Sequence, residues 1–196
     1  WQRGELRGFT TANVPRIDAD TLRALRATGA NLARIGVPLS RHGSHDGSRY
    51  RLATADAHAL DATLAAATRL GLGVVVLGLF DDGVQPQPLW REPALQASFV
   101  ATWGELAARI GASPALAAID LLNEPNPAPA PLAPAQRNWQ ALANDALQTI
   151  RATGCRAPVV FEPVLGAHPS ALAAATPLDD ERIVYRRHPE NLGQQG

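Results

Sequence analysis

Gly73-Val-Val-Val-Leu-Gly-Leu79 is seven residues long and carries no polar side chain. A strand that does not alternate between apolar and polar residues has no face to give to water. It belongs in a parallel sheet covered on both sides. The rest of the chain repeats the same arrangement. Short apolar runs at residues 5–10, 31–37, 117–122, 158–162 and 182–185 read as further strands, and Pro38 closes the second. Between them lie stretches of helical period. Residues 18–29 have an Asp to cap the start and Gly29 to stop the end. Thr54 caps a second helix running to Gly71, with Ala57, Leu60, Leu64 and Ala67 on one face. A third covers residues 93–110 and stops at Gly111. A fourth covers residues 135–153 and ends at Gly154, with Trp139, Leu142, Ala146 and Ile150 as its inner stripe. Residues 170–175 form at most a short helix. Alternation of strand and helix is the signature of βαβ units and a parallel sheet.

Two parallel architectures compete. An open doubly wound sheet usually shows a Gly-rich phosphate loop after its first strand. Arg7-Gly8-Phe9-Thr10-Thr11 is not one, and no P-loop occurs elsewhere. A TIM (β/α)8-type barrel is favoured, although it needs eight units and roughly 250 residues. The 196 residues suit a single domain, residues 1–196, with about six βα units, so the barrel is expected to be incomplete in this chain.

Ala117-Ala118-Ile119-Asp120-Leu121-Leu122 runs straight into Asn123-Glu124-Pro125. The proline ends the run, because it lacks a backbone donor and disfavours helix in the residue before it. A carboxylate therefore stands where a buried strand emerges, at the rim where parallel α/β proteins bind ligands. Partial burial there would raise its pKa and keep it protonated near neutral pH.

Composition excludes several functions. Eighteen basic and eighteen acidic residues cancel, so no strongly charged face is expected for nucleic acid. No run is long enough to span a membrane. Cys155 is the only cysteine, which rules out an internal disulfide and a cysteine metal cluster. His42, His45 and Asp46 sit among glycines and serines and read as a flexible loop rather than a metal site. No metal or other cofactor is expected. The chain begins at Trp1 and has no methionine, so it reads as part of a longer polypeptide. No signal peptide is visible, which does not exclude secretion.

Four motifs in order resemble glycoside hydrolase family 5, the cellulase family of retaining barrel glycosidases. Arg7-Gly8-Phe9 is similar to that family's first strand, and Leu32-Ala33-Arg34-Ile35-Gly36-Val37-Pro38 to its second. Ile119 to Pro125 is similar to the fourth, and Tyr185-Arg186-Arg187-His188 to the sixth. The resemblance implies that Glu124 protonates the glycosidic oxygen and later deprotonates water. It implies that Asn123 bonds the sugar 2-hydroxyl, and that Arg34 keeps the nucleophile ionised. His188 and Tyr185 would line the cleft, and Trp90 would stack on a sugar ring. The implied partner is a polysaccharide or oligosaccharide, and the implied location is secreted or periplasmic.

The departures are equally specific. Val76-Leu77-Gly78-Leu79-Phe80 lacks the histidine usual at the end of the third strand. The family's nucleophilic Glu lies on a seventh strand and its stacking Trp on an eighth, and this chain stops before both. Retaining hydrolysis uses two carboxyl groups roughly 5 Å apart. Among the other acids, Glu162 reads as a loop carboxylate. Asp120 shares a strand face with Glu124 and reads as a deeper, structural partner. Asp81 and Asp82 read as solvated. The expected function is thus hydrolysis of a β-glycan by a barrel whose nucleophile is not in this chain. The alternative is a partial barrel that binds carbohydrate without cleaving it, or pairs with another chain through its exposed sheet edges.

Overall fold

Each apolar run becomes a strand, and each strand lies parallel to the next. A computed structural model describes residues 8–11, 17–41, 47–80, 88–127, 131–173 and 175–186. Its strands are β1 (Gly8–Thr11), β2 (Leu32–Pro38), β3 (Gly73–Leu79), β4 (Leu116–Asp120), β5 (Val159–Phe161) and β6 (Ile183–Tyr185). They form one sheet in the order β1-β2-β3-β4-β5-β6, so every strand pairs with its neighbours in sequence. The long helices between them are α1 (Ala19–Ala27), α2 (Thr54–Leu70), α3 (Pro93–Ile110) and α4 (Leu132–Ala152). Two short helices, α5 (Val164–Ala167) and α6 (Pro169–Ala173), stand between β5 and β6. Sequential parallel order with helical crossovers is barrel winding rather than doubly wound winding.

Helix boundaries follow local chemistry. Asp18 caps α1 by accepting from the Thr21 amide at 2.7 Å. Gly71 ends α2 in the left-handed conformation, at φ 66°. Thr54 does not cap α2 as expected. Ala53 holds the cap position without a side-chain bond, and Thr54 is the first helical residue. Helix α4 also starts earlier than expected, inside the proline-rich stretch. Pro131 is its cap residue and Pro134 lies in its first turn, where a missing amide N–H costs nothing. Gly111 stops α3 for a different reason from Gly71. Its backbone is right-handed, but a Cβ there would stand 2.6 Å from the Ala107 carbonyl and 3.0 Å from Cys155 Cβ.

The sheet has two unlike faces, set by the two-residue period of its strands. Ala33, Ile35, Val37, Val74, Val76, Ile119, Val159 and Phe161 face the helices and form the core. Leu60 and Leu64 of α2, Phe99 and Trp103 of α3, and Trp139, Ala143 and Ile150 of α4 complete it. The alternate residues face the other way. Arg34 stands beside Val75, Leu77 beside Asp120, and Asp120 beside Val160 in register. This inner face carries the buried charges.

Gly78 marks a tight point of the helix-side layer. A Cβ there would lie 2.6 Å from Phe80 and 2.6 Å from Trp103. Both rings are fully buried, so neither can swing away. Gly78→Ala is expected to destabilise the fold by about 1–3 kcal/mol through overpacking. Urea denaturation monitored by tryptophan fluorescence measures this. An unchanged midpoint would mean that the ring pair yields.

Candidate active site

Strand β4 ends at Asp120, and the chain then rises through buried Leu121 and Leu122 to the rim. Trp103 of α3 donates its indole N–H to the Leu121 carbonyl at 3.2 Å. Asn123 is half-buried and Glu124 is exposed. Glu124 adopts φ 48°, a left-handed conformation that a residue with a Cβ rarely takes. The Pro125 carbonyl then accepts from the Gly166 amide of the next βα loop at 3.2 Å.

Beneath this turn lies a cluster of two arginines and two carboxylates. Arg34 donates from Nε to Asp120 Oδ2 at 2.8 Å. Its Nη2 donates to Asn123 Oδ1 at 3.2 Å and to Glu162 Oε1 at 3.1 Å. Arg186, one residue past β6, donates to the same Glu162 Oε1 at 3.0 Å and lies 3.6 Å from Asp120 Oδ2. The other oxygen of Glu162, Oε2, accepts the backbone N–H of Glu124 at 2.8 Å. Both acids are about 1% exposed, so water does not screen these contacts. Burial pushes the Asp120 carboxyl up to about 7. The neighbouring Arg34 cation pulls it down, and the Glu162 charge pushes it up again. Formal charges in the cluster cancel, as buried charges require.

Aromatic packing holds the cluster from the helix side. Trp139 of α4 stacks on Phe161 at 5.7 Å and donates its N–H to the Glu162 carbonyl at 2.8 Å. Gln136, one turn earlier, accepts the Val164 amide at 3.0 Å. The backbone at Glu162 and two residues beyond it is thus tied to α4.

The structure brings together Arg34, Asn123 and Glu124 from strands two apart. Glu124 is exposed rather than partly buried, because the strand ends at Asp120. The even spacing therefore does not carry Asp120's orientation on to Glu124. Tyr185 lies on the opposite side from the one expected. It sits in register with Phe161, its ring meets Phe161 edge-on at 5.9 Å, and its hydroxyl accepts the Leu178 amide at 2.7 Å. That places it on the helix side of β6, not on the inner face. Trp90 lies in a 3-10 turn (Pro88–Trp90) after β3, half-buried, with its ring edge-on to Trp139 at 5.8 Å. His188, Asp81, Asp82 and the loop residues His42, His45 and Asp46 lie outside the described residues. Glu162 and Arg186 are the members of this buried cluster that sequence reading undervalued. The available signal was a charged residue at the carboxyl end of a short apolar strand, the same signal that marks Asp120.

Comparison with solved structures shows the same barrel winding. Endoglucanase Cel5A from the hyperthermophilic Thermotoga maritima is 21% identical, with a TM-score of 0.75 over 93% of this chain and 60% of that one. The cellulose synthase subunit Z from Clostridioides difficile is 19% identical, with a TM-score of 0.76 over 93% and 60%. Endoglucanase Cel5A from Pseudomonas stutzeri is 19% identical, with a TM-score of 0.70 over 88% and 53%. This chain therefore spans about three fifths of these barrels or less. No curated protein sequence matches it. The sequence profile of the cellulase family matches residues 2–189, nearly the whole chain. With that match, the parallel barrel winding and the Arg34–Asn123–Glu124 grouping on its rim, the chain belongs to the cellulase family, glycosyl hydrolase family 5.

Proposed function

We propose that this chain is part of a retaining β-glycan hydrolase in which Glu124 is the acid/base. One observation carries the reading. Arg34, reaching from β2, bonds the Asn123 side chain and so fixes the residue beside an exposed carboxylate on the barrel rim. Asn123 can then meet the sugar 2-hydroxyl while Glu124 protonates the leaving oxygen. Trp90, the residue expected to stack on a sugar, is half-buried and packs against the core beside Trp139, so a sugar ring would meet only its exposed part. The nucleophile lies outside these 196 residues. Asp120 and Glu162, the nearby acids among the described residues, are buried and engaged with arginines. Both are 1% exposed beneath the rim, which keeps them from the anomeric carbon of a sugar bound over Glu124. The proposed place of action is outside the cytoplasm.

The test compares residues 1–196 with the intact protein on cellulose, mannan and mixed-linkage β-glucan. Reducing-end release is expected from the intact protein only, and NMR of the first-formed product should show the starting anomer. Turnover by the 196-residue chain alone would overturn the placement of the nucleophile. A second reading, non-catalytic binding or pairing with another chain, is favoured by the edge strand β6, where Val184 is 49% exposed. Polysaccharide binding without turnover by the intact protein would establish it.

A further inference from the structure

We infer that Glu162 is a positioning residue that clamps the acid/base Glu124 through its backbone, a role resting on the reading of Glu124 just given. Glu124 sits at φ 48°, where a side chain with a Cβ is strained. Such a conformation persists only when its surroundings hold it. Glu162 is a group that holds it: its Oε2 accepts the Glu124 N–H at 2.8 Å. Glu162 is itself immobile. Its Oε1 takes Arg34 at 3.1 Å and Arg186 at 3.0 Å, its carbonyl takes Trp139 at 2.8 Å, and it is 1% exposed. Arg34 also holds Asn123. One buried carboxylate thus ties the sugar-binding Asn123 and the acid/base Glu124 to a single frame. Its charge serves that frame, because an anion accepts both arginines on one oxygen and leaves the second for the amide.

The substitution Glu162→Gln tests this in the intact protein. A carboxamide has one acceptor oxygen, and the two arginines would claim it. The NH₂ group would then face the Glu124 N–H, donor against donor. Hydrogen exchange of the Glu124 amide is expected to accelerate at least tenfold. Hydrolysis is read with two leaving groups. A glycoside with a poor leaving group needs the placed acid and is expected to slow about 10²-fold, the scale of a misplaced catalytic group. A nitrophenyl glycoside needs little protonation and is expected to stay within a few-fold in its bond-cleaving step. Should the buried imbalance prevent folding, Glu162→Gln with Arg186→Gln removes one acid and one base together. Unchanged amide exchange would overturn the clamp whatever the activity. Equal losses on both substrates would overturn the positioning role and leave a structural one. An unaltered protein that cleaves neither substrate would bring down the hydrolase reading and this role with it. The amide exchange distinguishes that failure from failure of the contact itself.

Discussion

Glu124→Gln is expected to lower turnover of unactivated β-glycans in the intact protein by about 10²–10⁴-fold, the usual worth of a placed general acid. The amide matches the carboxyl in size but carries no transferable proton. The loss should fall on substrates whose leaving oxygen must be protonated. An aryl glycoside with a good leaving group should still react in its first step and then accumulate a glycosyl-enzyme, because the same residue is needed to activate water. A burst of released nitrophenol followed by a slow steady rate would report this. Stability should change by less than about 0.5 kcal/mol, since Glu124 is exposed on the rim. That separates it from Glu162, where the same substitution removes a buried charge. Full activity of the Glu124 variant on cellulose or mannan would show that another group is the acid.

The outline of the fold was legible because its signals are local. Residues 73–79 and 93–110 form a strand and a helix with the expected bounds, since one is a continuous apolar run and the other begins at a proline and stops at a glycine. Trp139 was expected on the inner stripe of its helix, and it is fully buried. Where tertiary context decided, the reading slipped. The fourth helix was expected to begin at residue 135, yet Pro131 holds its cap and Pro134 fits its first turn. Strand period placed Asp120 correctly, but it could not be extended past the end of β4 to Glu124. Tyr185 was assigned to the cleft by resemblance, whereas its register with Phe161 puts it against the helices. Resemblance named Arg34 and Asn123 separately, and their contact came only with the structure. Resemblance did not show Glu162, whose contact with Arg34 joins positions 128 residues apart. Period tells which face a side chain takes, not which distant group it meets there.

Arg34→Met is expected to cost about 3–5 kcal/mol of folding stability, because it leaves buried carboxylates without their cation. Methionine keeps much of the side chain's length, so the loss reports charge more than volume. Arg34 bonds Asp120, Asn123 and Glu162 at once, and only Arg186, a third exposed, remains to compensate. The cost should depend on pH, and its sign follows from Asp120. Unfolded, this carboxyl titrates near 3.8; folded, burial pushes it up to about 7 while Arg34 restrains the rise. Between those values the folded chain holds a proton that the unfolded chain has released. Stability therefore falls as pH rises across that window. Removing Arg34 removes a lowering influence, moves the folded value higher and extends the decline to higher pH. Urea denaturation at pH 5 and pH 8 should show a larger loss for the variant at pH 8, where a bare buried carboxylate is most strongly disfavoured. Equal losses at the two pH values would mean that Arg34 holds the barrel by packing, and that the charge of Asp120 is balanced by Arg186 alone.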